Sequence, residues 1–528
     1  MKLPRLRLHP LLCGLAVVLA AGNLSAQTLR WASAGDPQTM DPYSQNENLT
    51  NNINHQIYEF LVERDRQLGF VPGLAVEWSQ PNPLVWRFKL RPNVKFHDGR
   101  PFTADDVVFS VLRAREKTSQ IAAYASALGE PKKIDDLTVE FQLTQFNPIF
   151  FDHLNTVFIM SRGWSEEHKA QRPLDFTNKE ESYTSFNANG TGPYMLALRE
   201  PDVKTVLKRN PNYWGRIEGN VQEMIYTPIK SDATRVAALL SGEVDFVLDP
   251  PPRDLERLRQ ARGVRVVEGP ENRVIFIGMD QARDQLLYSS LKGKNPFKDL
   301  RVRRALYHAI DIDTIRTKLM NGQSAPTGAL VPSPKASFGD PDIERRLPYD
   351  PALAKKLMQE AGYADGFDVA MDCPNNRYVN DERICQTLAS MWARIGVKVR
   401  VNALPKTTFF PKVEKLDTSL YLFGWGGSIT DAETTFTPIY RNRADKGVGE
   451  YNRGNYTDDT LDALVAASSK ESDPDKRRAL IKQVFLRHND QVRHIPLHRQ
   501  YIPWAMRSGV QVVHKPDNWL ELRWVTLK

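Results

Sequence analysis

Cysteine is scarce in this sequence, with three in 528 residues. No C-x-x-C or H-E-x-x-H occurs, and the histidines stand singly apart from His494 and His498. Zinc centres of the usual spacing are therefore excluded. Pro496 places those two histidines on a strand or turn, and they read as structural. No G-x-x-x-x-G-K-[ST] phosphate loop is present. The glycine-rich stretch GWGGSITDAE, residues 424–433, fails as a nucleophile elbow because Thr430 stands where G-x-S-x-G needs its last glycine, and fails as a dinucleotide fingerprint at Ile429. Ser289-Ser290-Leu291-Lys292 matches S-x-x-K, but the K-T-G that accompanies it in penicillin-recognising hydrolases is missing. His97-Asp98-Gly99 reads as a strand leading into an Asp-Gly turn and then a helix capped by Thr103, with Asp106 completing a capping box. With no catalytic constellation, the expectation is a protein that is not an enzyme and holds neither metal nor cofactor.

Long apolar runs are also missing beyond the N-terminus, so no membrane span is expected there. Residues 1–26 read as a secretory leader: Lys2, Arg5 and Arg7, an apolar run over 11–21, and Leu24-Ser25-Ala26 as the cleavage site. Cys13 lies inside the apolar run, as a leader residue rather than a lipid-attachment cysteine. The mature product is expected to be soluble in a Gram-negative periplasm. Charge of one sign is lacking too. Without the three basic leader residues, 68 Lys and Arg face 63 Asp and Glu, a net of +5. Since no basic cluster is interleaved with aromatics, no nucleic-acid partner is expected. The runs RVRRAL and DKRRAL read as solvated helix faces. Cys373 and Cys385, twelve positions apart, either close a disulfide loop worth about 3 kcal/mol by loop entropy or stand as two buried thiols.

What the chain does contain is an alternation of strand and helix patterns, long enough for two or more domains. VWRFKLRPNVKFH and DLTVEFQL alternate apolar residues with period two. In DERICQTLASMWARIG, Ile384, Leu388, Met391, Trp392 and Ile395 share one helical face; Asn380 or Asp381 is placed to cap it and Gly396 to end it. Two stretches read as crossings between lobes. In residues 264–280, two β-rich runs flank a polar turn and Val274 to Ile277 form an apolar strand suited to burial on both faces; in residues 494–504 an apolar strand follows a long helix. Lobes joined by two strands make a hinge. Ten tryptophans and seventeen tyrosines are compatible with a cleft that stacks on a ligand.

Six stretches in order, KFHDGRPFTADDVVFS, GTGPY, KRNPNYWG, LLSGEVDFV, DLRVRRALYHAIDID and AKKLMQEAGYADGF, resemble the large solute-binding proteins of ABC importers for peptides, nickel, opines and related solutes, the extracellular solute-binding proteins of family 5. The resemblance spans nearly the whole mature chain. It implies an α/β, two-lobed, type II, three-domain clamshell with two hinge strands. The expected divisions are a lobe 1 core of residues 27–58, 185–272 and 496–528, a lobe 1 accessory domain of 59–184, and a lobe 2 of 273–495. In dipeptide-binding members an arginine just before the helix equivalent to 381–395 holds the peptide carboxylate; Arg377 fills that position. The family's amine-binding aspartate lies in a Gly-Trp-x-x-Asp turn, which here is GWGGS, so Ser428 replaces the acid while Trp425 and Gly426 line the ligand. Asp431 or Glu433 is a possible substitute for the missing carboxylate, and either can equally be a solvated loop acid. The function so implied is capture of a short peptide or carboxylated organic solute by a monomer that delivers it to an inner-membrane ABC permease. The alternative is an exported hydrolase of peptides or cell-wall fragments, and a ligand-reporting partner for a membrane sensor would share the binding step.

Overall fold

Two long strands carry the architecture. Val264–Met279 and His494–Arg507 run antiparallel to each other over most of their length. The computed structural model describes residues 27–427, 429–445 and 447–528, so the expected leader and Ser428 lie outside the described residues. Among these, eleven strands form one continuous sheet with the long pair at its middle. On one side, His494–Arg507 pairs with Phe246–Val247, which leads to Thr28–Ser33 and the strands of lobe 1. On the other, Val264–Met279 pairs through Arg273 to Met279 with Leu420–Gly426 of lobe 2. The sheet thus passes from lobe to lobe through two strands.

The polar stretch Glu271–Arg273, expected to be a turn, is instead an interruption inside one sixteen-residue strand. The ladder jumps from Pro270 opposite Tyr501 to Val274 opposite Arg499, with a second irregularity between Ile275 and Phe276. The reason is that the strand never reverses: its polar residues face the space between the lobes, and its apolar residues Val274 to Ile277 are buried on both faces. Burial of each of those side chains contributes about 1.5 to 3 kcal/mol. The break in register falls between Pro270 and Val274 on one strand and between Tyr501 and Arg499 on the other, close to the expected boundary at 272 and a few residues past the one expected at 496.

Lobe 2 contains a parallel unit in which Phe367–Pro374 and Val397–Leu404 are joined by the helix Asp381–Ala393. Parallel neighbours require such a crossover. Ile384, Leu388, Met391 and Trp392 are all buried along it, as is Ile395 just past its end. In lobe 1 an antiparallel sheet of four strands, from Ala75–Asn82 to Glu130–Asp135, forms a separate layer. The helix Ala104–Ala114 that follows the His-Asp-Gly turn begins as its sequence suggests, with Asp106 Oδ2 accepting from the Thr103 backbone at 2.9 Å. His97 meets the Gly192 carbonyl at 2.9 Å and is half-buried, and desolvation pushes its pKa down to about 4. His494 and His498 are buried in the long strand, the former against His488 at 3.0 Å.

Candidate functional site

The segment carrying Arg377 is held at three points. Cys373, near the end of its strand, and Cys385, in the second turn of the helix, form a disulfide. Between them Asp381 Oδ2 accepts from the backbone N–H groups of Arg377 at 2.9 Å and Tyr378 at 3.0 Å, so it closes the loop rather than capping the helix in the ordinary way. Asn380 takes the cap position with a φ of 57°. Burial pushes the Asp381 carboxyl up to about 7 in spite of these bonds. The buried Tyr378 donates its hydroxyl to the Gly424 carbonyl at 3.2 Å, and the Arg377 guanidinium lies 4.8 Å from the Tyr378 ring centre. A loop fixed in this way sets the guanidinium at the junction of the lobes.

A cavity of about 90 Å³ lies there, lined from lobe 1 by Gln45 to Asn48, Phe158 and Trp519 and from lobe 2 by Arg273, Arg377, Tyr378 and the strand from Phe423 to Gly427. Glu47 faces it from lobe 1. Its carboxylate caps the helix Asn48–His55, accepting from the Leu49 and Thr50 backbone at 3.2 and 2.9 Å. The same group lies 2.9 Å from Arg377 Nε and 3.2 Å from Lys406 Nζ of the opposite lobe. Burial acts to raise its pKa, but Lys406 and Arg377 reverse that and hold the carboxyl well below the usual range. Burial pulls the Lys406 ammonium down, with Glu47 opposing. Beside them Arg273 Nε donates to Glu271 Oε1 at 2.7 Å. Of the charged residues that line the cavity, Arg273 and Arg377 are matched in number by Glu47 and Glu414. The Arg377 side chain is 12% exposed and, although close to Glu47, makes no hydrogen bond with a described residue. Buried donors without acceptors are costly, and a bidentate carboxylate is the group that fits a guanidinium fork.

The glycines of GWGGS explain themselves by close approach. A Cβ on Gly424 would lie 2.5 Å from Tyr378 Cε1, and one on Gly426 would lie 2.5 Å from the Asn272 carbonyl. Small residues here let the strand press against the arginine loop and the interrupted hinge strand at once. Trp425 is buried, donates its indole N–H to the Thr434 carbonyl at 2.8 Å, and packs on Tyr451 with ring centres 4.7 Å apart. Of the residues expected to bind ligand, Arg377, Trp425 and Gly426 line the one cavity. Asp431 does not line it; Arg477 holds it bidentately at 2.7 and 2.9 Å. Glu433 is buried and opens on a neighbouring cavity instead.

Sequence reasoning did not single out Glu47, Lys406 or Glu414. Glu414 ties the lobes together a second time, accepting from Gln120 Nε2 at 2.7 Å and Thr177 Oγ1 at 2.8 Å. One signal was available: glutamate is not a favoured N-cap, where Ser, Thr, Asp and Asn lead, so Glu47 ahead of an Asn-Leu-Thr helix start is a residue whose placement asks for a second reason. Nothing local marks Lys406.

A cleft between two lobes on a two-strand hinge, with aromatic walls from both sides and arginines from one, defines a binding protein that encloses a small solute. Residues 69–447 match the model of the bacterial extracellular solute-binding proteins, family 5, and the chain belongs to that family. It is similar to the dipeptide-binding protein of Escherichia coli K12, with 26% identity over 505 residues and 90% of each chain covered. Glutathione-binding protein GsiB of Salmonella paratyphi A is 25% identical over 482 residues, with 89% of this chain and 88% of that one covered. Among solved structures, the ABC transporter-associated periplasmic binding protein DppA from Helicobacter pylori, in complex with the peptide STSA, has a TM-score of 0.84 at 22% identity over 95% of this chain and 98% of that one. MoaA of A. tumefacien R10, in complex with mannopinic acid, has a TM-score of 0.83 at 25% identity over 95% and 99%. The type II clamshell implied by the sequence is the fold. The protein is the solute-binding component of an ABC importer, and nothing in the comparisons supports the hydrolase reading.

Proposed function

We propose that the protein is a soluble, monomeric periplasmic receptor, exported by its N-terminal leader, that captures a small carboxylate-bearing solute and closes on it for delivery to an inner-membrane permease. Short peptides and opine-like acids are the solute class, in keeping with the relatives named above. The carrying observation is Arg377: a largely buried guanidinium, fixed by its loop and facing a cavity between the lobes. No role for nucleic acid, metal or catalysis enters this reading. An ordinary dipeptide also needs an acceptor for its α-ammonium. Ser428 is a neutral hydroxyl at the family's position for that acid and Asp431 is already engaged by Arg477, which favours solutes whose amine is acylated or met elsewhere in the cleft.

The test begins with native mass spectrometry of protein purified from its own periplasm and identification of what it releases. Calorimetric titration of that compound, and of dipeptides with and without N-acetylation, then compares the unmodified protein with Arg377→Ala. Loss of the arginine leaves a buried carboxylate unpaired, so binding should weaken by about 2 to 3 kcal/mol, roughly 30- to 150-fold. A released solute with no acidic group, or unchanged affinity in Arg377→Ala, refutes the reading.

A further inference from the structure

A second cavity, of about 240 Å³, lies between the lobes beside the first, lined by the loop 144–149 and His153 of lobe 1 and by Glu433, Thr437 and Arg441 of lobe 2. Among the described residues the two cavities have one lining residue in common, Tyr124. Arg377 borders other neighbouring spaces, and among the described residues those share no lining residue with the larger cavity. The arginine and the tyrosine therefore stand at separate ends of the first cavity, and Tyr124 is the side chain that divides it from the larger one.

Tyr124 belongs to a short helix, Ala122–Ser126, that lobe 1 holds in place. Asn147 Nδ2 donates to the Ala127 carbonyl at 2.9 Å and Arg115 Nε to the Ala125 carbonyl at 3.2 Å. The tyrosine is buried, and its ring centre lies 5.8 Å from that of His153. Its hydroxyl reaches lobe 2 beside the Thr434 side chain, where burial, with Glu450 and Glu433 adding to it, pushes the phenol pKa up and keeps the group protonated. Lobe 2 also presses on the helix itself, since a Cβ on Gly447 would lie 2.9 Å from the Ala123 backbone nitrogen. A side chain fixed from one lobe and met by the other is a wall of the closed cleft. Size gives that wall its consequence. A water-sized atom takes roughly 10 to 15 Å³ of such a space, so a cavity of about 90 Å³ holds about six to nine of them. That is the size of an acylated amino acid or a small dipeptide. A longer solute would find room only beyond the ring.

We propose that Tyr124 sets the upper length of the solute: its ring closes the end of the binding cavity away from Arg377 and keeps the larger cavity behind it out of reach. The inference rests on the carboxylate reading of Arg377 and adds the size class of the solute. Discrimination against longer compounds then comes from a clash with a fixed side chain, and contacts to the shorter ones need not differ.

The test titrates N-acetylated alanine oligomers of one to four residues, which carry a carboxylate and no ammonium, against the unmodified protein and against Tyr124→Ala. In the unmodified protein affinity should fall by roughly 10-fold or more beyond two residues. Removing the ring should recover roughly 10-fold or more of that loss, read as the ratio of four-residue to two-residue affinity, which a general weakening of closure does not move. Tyr124→Phe keeps the ring and should keep the length limit, and Tyr124→Leu serves if the alanine variant does not fold. Equal affinity for two and four residues in the unmodified protein, or an unchanged ratio on removing the ring, overturns the proposal. Arg377→Ala separates the two readings: if it leaves every oligomer unaffected while the ratio still shifts in Tyr124→Ala, the carboxylate anchor fails and the length limit stands. If it weakens every oligomer while the ratio stays fixed in Tyr124→Ala, the anchor stands and the length limit fails. Failure of every oligomer to bind overturns both.

Discussion

Replacing Glu47 with glutamine removes the one anion that two cations of the opposite lobe share. At 2.9 Å to Arg377 and 3.2 Å to Lys406, an effective dielectric of about 20 gives a gross attraction of about 5 to 6 kcal/mol for each contact. Most of that is offset by desolvating three charges, and removing one partner of a buried ion pair typically costs about 3 to 5 kcal/mol. The cost falls chiefly on the closed form, because Arg377 and Lys406 regain water when the lobes part. Glutamine keeps a carbonyl oxygen for the helix cap, so the folded lobe is spared most of the loss. Ligand binds the closed form, and affinity follows the population of that form. With the solute's own carboxylate supplying part of the missing charge, Glu47→Gln should weaken binding by about 2 to 4 kcal/mol, roughly 30- to 1000-fold. Calorimetric titration of the solute released from native protein measures it. Affinity within threefold of the unmodified protein would refute the latch. The pH dependence has a definite sign: the Glu47 carboxyl is held below its ordinary value, so its contribution is complete above about pH 4.3 and is lost only as pH falls through the lower native value. Binding should therefore be insensitive to this group from neutral pH down to about pH 5.

Reduction of the Cys373–Cys385 bond, or its replacement by two serines, should lower unfolding stability by about 3 kcal/mol and weaken solute binding as well, because the loop it closes carries Arg377 and Tyr378; thermal melts with and without reductant, paired with titration, check both. Gly424→Ala places a methyl 2.5 Å from Tyr378 and should cost about 1 to 3 kcal/mol of stability through overpacking, read as a lower denaturant midpoint. Small-angle scattering should show compaction on saturation with solute, and an unchanged radius would contradict closure about the two long strands.

Much of the fold was legible because it depends on local signals. Period-two and period-3.6 patterns, the Thr103–Asp106 box and the paired cysteines are written within a dozen residues each. Arg377 was legible for a different reason, by resemblance of the segment before the helix Asp381–Ala393. Its partners were not. Glu47 and Lys406 are 359 positions apart in the chain yet 3.2 Å apart in space, and no periodicity reports a contact between lobes. The polar run Glu-Asn-Arg at 271–273 was misread as a turn for a related reason. Polar residues between two apolar runs usually mark a reversal, but a strand that crosses a cleft carries the same signature, since its middle faces the cleft and not the core. Asp431 and Glu433 could not be told apart from sequence, because what separates them is Arg477, 46 positions on from Asp431.

The hinge and the binding wall turn out to share residues, and that follows from how a ladder is interrupted. Where Val264–Met279 loses its regular pairing, its backbone groups need other partners. Asn272 N–H donates to the Pro516 carbonyl at 2.6 Å, and its carbonyl accepts from Gly427 N–H at 3.1 Å. The bend is therefore bonded directly to the glycine loop that lines the cavity, while the neighbouring side chains Glu271 and Arg273 form their ion pair beside Arg377. A change of backbone angle at these few residues moves Arg273 and the glycine wall together. Solute held between Arg377 and that wall acts on the same residues that set the angle between the lobes, so recognition and closure are coupled through contact and need no longer path.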